Sequence, residues 1–377
     1  MLKLTWQRAA AWRTERHHLI RRASAGSMLA VVSRLCGLHA QLMSSAELSL
    51  WARVEDLKRE NVRRALWEDR TLIKTWAMRG TLHLLPASEL SLWHGALTTS
   101  RRYLSPTRWQ KHFGLTMKEL DTLTSAIGRA LDGSVMTRGQ LAKEVGRITG
   151  SRKLAAKLAE GSWGTILKPA AFAGHLCFGP SQGQLVCFTR PGSWLKEQIA
   201  ALDPDTATAM VTRRFLAAYG PATYHDLARW WGGGGVSTAR QWIVALGEEV
   251  SPIDVDGTHA WMLARDLREM RDFHEKQSVR LLPAFDQYVV AASHHAEHLL
   301  PGKLRSRVYR PQGWISPVLL VNGRMEGVWR HVLKGSRIEV VIEPFVKIPP
   351  SARRAAEQEA ERLAHFVGGA LQFKWGR

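Results

Sequence analysis

Apolar positions along this chain recur at helical spacing in some stretches and in short continuous or alternating runs in others, and the switches mark out its elements. Residues 4–16 and 27–36 read as helices, the second with Met28, Leu29, Val32 and Leu35 on one face. Gly37 is placed to end that helix, because a left-handed residue after the last turn carries no steric penalty in glycine. After a short loop, Ser44 or Ser45 is expected to cap a helix carrying Leu48, Trp51 and Val54. A helix over 59–68 then leads into 72–86, which reads as two short strands. Three helices and a hairpin are the order of a winged helix.

The pattern returns twice. Residues 117–131 form an amphipathic helix with Leu120, Leu123, Ile127, Ala130 and Leu131 apolar, and Thr137 is the expected cap of a second helix. A third, 155–168, carries Trp163, Ile166 and Leu167, and Pro169 is placed to stop it. Two apolar runs around a Gly/Pro/Ser turn follow in 176–188. The third copy has helices over 205–218, 223–231 and 237–246, then strands over 250–253 and 260–263. Beyond it, 278–377 is strand-rich, with strands at 279–282, 318–321 and 338–342 and the hairpin turn Asn322-Gly323. A helix over 351–367 closes the chain, its stretch 353–362 mixing charge signs as a solvated face does.

The expected fold is mainly α with β-hairpins (α+β): three tandem winged-helix domains plus a β-rich C-terminal part. The blocks are 1–100, 101–200, 201–275 and 276–377, a repeat of fold rather than of sequence.

Charge changes the picture. With 53 Lys and Arg against 33 Asp and Glu, the net charge is +20, a field that attracts phosphate backbones. Nucleic acid is therefore the leading partner. Cys36, Cys177 and Cys187 are odd in number and lack CxxC spacing, which argues against a disulfide framework or a structural zinc site. The N-terminal residues lack the apolar core of a signal peptide, and no stretch approaches a membrane span. A soluble, monomeric, cytoplasmic and nucleoid-associated protein is expected, with no cofactor and no metal.

Candidate chemistry centres on Arg34–Ser45, where His39 and Gln41 stand two residues apart around Ala40. In extended backbone, i and i+2 project to one side. From the residues alone, a loop histidine bonded to backbone and a glutamine capping the next helix are the plainer reading. Asp286 is read first as a buried turn cap and second as a stabiliser of a cation. His294, His295 and His298 have helical metal-ligand spacing, but without an H-E-x-x-H motif a solvated face is favoured. Gly232–Gly235 is a loop rather than a phosphate cradle, because no Lys-Ser/Thr follows.

Three segments go further. Arg79-Gly80-Thr81-Leu82-His83, Leu281-Leu282-Pro283-Ala284-Phe285-Asp286-Gln287-Tyr288 and Val318–Arg324 with Gly327-Val328-Trp329-Arg330 together resemble the YcaQ/AlkZ-like family of tandem winged-helix DNA glycosylases. The resemblance covers nearly the whole chain. It implies a monofunctional enzyme acting on double-stranded DNA that carries N7-alkylated purines, bulky genotoxin adducts or crosslinks among them. The family's catalytic Gln-x-Gln or Gln-x-Asp corresponds to His39-Ala40-Gln41, with Gln41 matching the second glutamine and His39 replacing the first polar residue. Gln41 would orient the attacking water and neutral His39 would accept its proton, so activity is expected to fall below about pH 6.5, the ordinary histidine value. Arg34, Lys74, Arg79, Arg305, Arg307, Arg310 and Arg324 lie in or beside the resembling segments and are the candidate DNA contacts. The alternative is a winged-helix DNA-binding or regulatory protein without chemistry. Three units in one chain argue against a typical repressor, which reads a palindrome as a dimer.

Overall fold

The expected order of elements recurs three times. The computed structural model describes residues 1–99, 106–160, 165–195, 202–292 and 296–376. Where the apolar pattern placed a helix start there is a short strand, β1 (Leu2–Leu4). The helix Trp6–Arg16 follows, with the Thr5 hydroxyl accepting the Arg8 N–H at 3.2 Å. A three-residue strand shows no period of its own; only its distant partner identifies it.

The first repeat comprises the helix Met28–Arg34, β2 (Leu38–His39), the helices Met43–Trp51 and Arg59–Trp67, β3 (Leu72–Trp76) and β4 (Leu82–Pro86). The helix Met28–Arg34 ends through two left-handed residues, Cys36 (φ 60°) and Gly37 (φ 88°), and the Gly37 N–H returns to the Val32 carbonyl at 2.9 Å. The next helix begins earlier than the serines suggested. Leu42 holds the N-cap position without a side-chain cap, and Ser44 and Ser45 fall inside the first turn. Strands β3 and β4 pair antiparallel around Arg79 and Gly80, both at positive φ.

The second repeat runs through the helix Met117–Ala130, β5 (Met136–Thr137), the helices Arg138–Thr149 and Arg152–Glu160, β6 (Cys177–Gln182) and β7 (Leu185–Thr189), with sheet order β5-β7-β6. Thr116 with Glu119 and Thr137 with Gln140 form reciprocal capping boxes. The helix expected over 155–168 is divided instead: Arg152–Glu160, a turn Thr165–Leu167, and the helix Lys168–Phe172. Pro169 sits in the first turn of the last, where its missing N–H forfeits no bond, so it starts a helix rather than stopping one. Trp163 lies outside the described residues.

The third repeat holds the helices Pro204–Tyr219, Tyr224–Trp231 and Gly235–Val244, then β8 (Val250–Val255) and β9 (Thr258–Leu263). β1 adds to this sheet in parallel, Leu2 opposite Ile253 and Leu4 opposite Val255.

A five-stranded sheet completes the chain in the order β10 (Val279–Leu282), β11 (Val318–Val321), β12 (Arg324–Lys334), β13 (Arg337–Pro344) and β14 (Ala370–Trp375). Asn322 (φ 49°) and Gly323 (φ 80°) make the tight turn that their sequence indicated. After the helix Pro350–Val367, β14 lies parallel to β13 as an edge strand, Leu371, Phe373 and Trp375 alternating with Ala370, Gln372 and Lys374. The 353–362 stretch is not simply solvated: Glu359 is buried against Arg22, and Arg362 donates to the Trp51 and Val54 carbonyls at 3.0 and 2.8 Å.

The fold is thus mainly α with β-hairpins, three tandem winged helices and a strand-rich C-terminal part. Its residues gather into two compact units, one of 1–61, 212–230 and 239–377, the other of 62–211 and 231–238. In the second, Leu123, Ile127, Leu141, Val145 and Ile166 share a core with Trp76 and Leu82. In the first, Leu4, Ala9 and Trp12 pack on Ile253, Val255 and Met262.

Candidate active site and nucleic-acid interface

His39 ends β2 and is 7 % exposed, while Gln41, just beyond the strand, is exposed. The His39 ring lies against Phe285, with centroids 4.9 Å apart and planes 12° from parallel. Phe285 in turn meets Trp314 at 5.3 Å. Among the described residues no hydrogen bond occupies the Gln41 amide, which leaves an acceptor and two donors for a ligand or water. The two residues therefore differ in role: one ring fixed by packing, one amide presented to solvent.

What holds this loop comes from far along the chain. The buried Gln287 Nε2–H donates to the Gly37 carbonyl at 2.9 Å, and the Tyr219 hydroxyl donates to the Leu35 carbonyl at 2.8 Å. Both supply partners to carbonyls in the sharp exit from the helix Met28–Arg34. Asp286 caps the helix Gln287–Ala291 by accepting the Tyr288 N–H at 2.9 Å, as the turn-cap reading expected. It also accepts both Arg53 Nη groups, at 2.6 and 2.7 Å, with the two side chains 0 % exposed. Arg53 Nη1 further donates to the Ser49 carbonyl at 2.8 Å. A buried bidentate pair of this kind is geometrically strict. It ties the helix carrying Trp51 to the segment that presents Phe285 and Gln287. Phe285 itself has φ 58°, a left-handed conformation that a bulky residue adopts only under surrounding constraint.

The Phe285–Tyr288 run carries part of the family resemblance, but nothing in its local pattern assigns Phe285 or Gln287 a role at the site. Arg53 carried no local signal at all. A buried arginine cannot be told from a surface one by the pattern around it.

The candidate DNA contacts fall into two groups. Arg34, on the last turn of its helix, and Arg310 are exposed, and neither forms an ion pair among the described residues. Arg305 is half-buried at the start of the short helix Arg305–Val308. Arg307 and Arg324 are already engaged, the first with Glu343 at 3.0 Å and the second with Glu326 and the His298 carbonyl, both at 2.9 Å. In the other unit, Lys74 stands half-buried over the Phe178 ring at 5.0 Å, and burial pushes its pKa down to about 8. Arg79 is half-buried, its guanidinium 3.2 Å from His83 Nε2.

Among the described residues no group of three or more His, Cys, Asp or Glu is arranged to hold a metal ion. His294 and His295 lie outside the described residues. His298 is not on a solvated face: it stacks on Trp6 at 4.0 Å, and burial pushes its pKa down to about 4. No described helix is long and apolar enough to cross a membrane.

This fold is shared by a solved enzyme. The Streptomyces sahachiroi DNA glycosylase AlkZ superposes with a TM-score of 0.89, at 34 % identity, over 100 % of both chains. The class is that of the winged-helix DNA glycosylases. At the level of sequence, the interstrand DNA cross-link repair glycosylase of Streptomyces sahachiroi is 36 % identical over 373 residues, 97 % of this chain and 98 % of that protein. The family model for DNA glycosylase AlkZ-like proteins matches residues 32–366. The chain belongs to this family, and it is a DNA glycosylase.

Proposed function

We propose that this enzyme hydrolyses the N-glycosidic bond of N7-alkylated purines in duplex DNA, bulky adducts and crosslinked bases included, with His39 and Gln41 as its catalytic pair. The observation that carries the reading is the pairing of a packed His39 ring with an unoccupied Gln41 amide two residues on. Its position in a chain of this family supports it. The relative's action on interstrand crosslinks supports the bulky end of the substrate range.

N7 alkylation places a positive charge on the purine, so the base is a good leaving group and needs little acid assistance. The enzyme's task is to place a water at C1′ as the sugar becomes cationic. The Gln41 amide orients that water without bringing charge. The water oxygen bonds to C1′, its proton passes to neutral His39, and the glycosidic electron pair leaves with the base, cancelling the charge on the ring. A protonated imidazole would oppose the sugar cation, so excision falls in acid as His39 takes up a proton. Exposed Arg34 and Arg310 contribute phosphate contacts that fix the register of the duplex.

The test is single-turnover excision from duplex DNA carrying N7-methylguanine. His39→Ala and Gln41→Ala are each expected to slow it by roughly 10²–10⁴-fold, the span of a lost acid–base or positioning group, with DNA binding intact. Wild-type DNA binding without excision of either this lesion or a bulky N7 adduct would overturn the reading. Full wild-type activity at about pH 5, below the ordinary histidine range, would remove His39 as a neutral acceptor.

A further inference from the structure

Trp314 is the one exposed large aromatic side chain among the described residues, at 50 % exposure. A single exposed apolar side chain needs no explanation. This one is distinguished by how it is held and where it stands. It sits on a short loop closed at every step: Ser316 N–H to the Val308 carbonyl at 2.9 Å, a bridge between Tyr309 and Ile315, and Arg310 N–H to the Trp314 carbonyl at 2.8 Å. The tip turns through two positive-φ residues, Gln312 at 59° and Gly313 at 78°. Gln312 gains no steric relief there of the kind glycine has, so the loop keeps a specific shape. The indole is presented by a fixed platform.

That platform adjoins the candidate active site. Trp314 touches Phe285 at 5.3 Å, and Phe285 is stacked on His39. Two ring-to-ring steps, of 5.3 and 4.9 Å, therefore separate the half-exposed indole from the histidine. Exposed Arg310 is hydrogen-bonded through its backbone N–H to the Trp314 carbonyl, so the same loop carries an arginine available to a phosphate.

We infer that Trp314 is a specificity-determining residue whose indole stacks on the alkylated base and reads its positive charge. This rests on the reading of the chain as an N7-alkylpurine glycosylase. An unmodified guanine and an N7-alkylguanine have nearly the same planar outline and differ in charge. Indole has the strongest cation-binding face of the side chains, so it favours the cationic base beyond the stacking that any base would receive. The discrimination resides at a side chain that takes no part in proton transfer.

The experiment measures binding and excision separately. Fluorescence anisotropy compares three duplexes that the enzyme does not cleave at the central nucleotide. These carry 2′-fluoro-N7-methylguanosine, the neutral isostere 7-methyl-7-deazaguanosine, and 2′-fluoroguanosine. Wild type is expected to prefer the cationic duplex over the neutral isostere by about 2- to 30-fold, the range of a cation–π contact. Trp314→Ala is expected to abolish that preference and Trp314→Phe to keep part of it, whereas Arg310→Ala should weaken all three duplexes alike. A preference unchanged in Trp314→Ala, or a loss equal for all three duplexes, overturns the inference. So does a wild type that does not distinguish the cation from its isostere. Excision of ordinary N7-methylguanine by the wild type is followed in parallel. Excision with a Trp314-independent preference removes only the inference, and a Trp314-dependent preference without excision removes only the glycosidic chemistry.

Discussion

The second winged helix and the loop of the first are built from similar elements but stabilised in opposite ways. In the second, helix starts are written locally: Thr116 with Glu119 and Thr137 with Gln140 satisfy one another across three residues, at exposed positions. In the first, the helix after His39 begins at Leu42 with no side-chain cap, and the preceding turn passes through a left-handed Cys36. Its stability is supplied from about 180 to 250 residues away, by Tyr219, Phe285, Asp286 and Gln287. Scaffold can be encoded by neighbours. The loop that carries His39 and Gln41 has little regular structure of its own and is fixed by buried, long-range contacts.

Breaking the long-range side should have the largest effect. Asp286→Ala leaves the Arg53 charge buried without its carboxylate and is expected to lower stability by about 3–5 kcal/mol in a guanidinium titration. An apolar replacement of both partners should recover most of that loss. A single-mutant cost within the noise would mean that the buried pair does not hold this region.

Gln287→Leu is next. It strips the Gly37 carbonyl of its buried donor and is expected to cost about 1–3 kcal/mol. Because that carbonyl precedes β2 by one residue, the variant should also slow excision while leaving DNA affinity near wild type. Unaltered excision together with the expected loss of stability would separate the support of the fold from that of the site.

The local side should be milder. Thr137→Ala removes one cap at a cost of about 1 kcal/mol, with excision unchanged in the folded protein. If it impaired excision as Gln287→Leu does, the contrast between the two regions would collapse.

The smallest effect is expected in acid. Hydrogen bonding from Lys153, with the backbone of Thr116, pulls the Glu119 carboxyl down to about 2. Its folded value lies below its unfolded one, so the stability it contributes is present above the ordinary carboxylate range and fades as pH falls toward about 2. Glu119→Gln should flatten that part of the stability profile, and an acid transition identical in both proteins would remove Glu119 from it.

Much of the scaffold was legible in the sequence because its signals are short-range. Thr137 with Gln140, the Asn322-Gly323 turn and the apolar face of the helix Met117–Ala130 each express their conformation within a few residues. Pro169 shows the limit: proline marks a boundary, but whether it ends one helix or opens the next depends on the surrounding chain. β1 leaves no trace because three residues have no measurable period. β14 does carry one, with Leu371, Phe373 and Trp375 half-buried between exposed Ala370, Gln372 and Lys374, but alternation alone names neither its partner nor its parallel direction.

The candidate site was legible as a pair of residue types in a particular loop, not as an arrangement. The sequence by itself determined the succession of helices and hairpins, the strongly cationic field and the identity of His39 and Gln41. Only the tertiary structure decided that His39 packs on Phe285 while Gln41 faces solvent, that Arg53 is a buried brace, and that Trp314 stands beside them. Hydrogen bonds in helices and turns join near neighbours, so local sequence specifies them. Burial and ring stacking join residues whose separation along the chain is arbitrary, and no local pattern records which distant side chain will arrive.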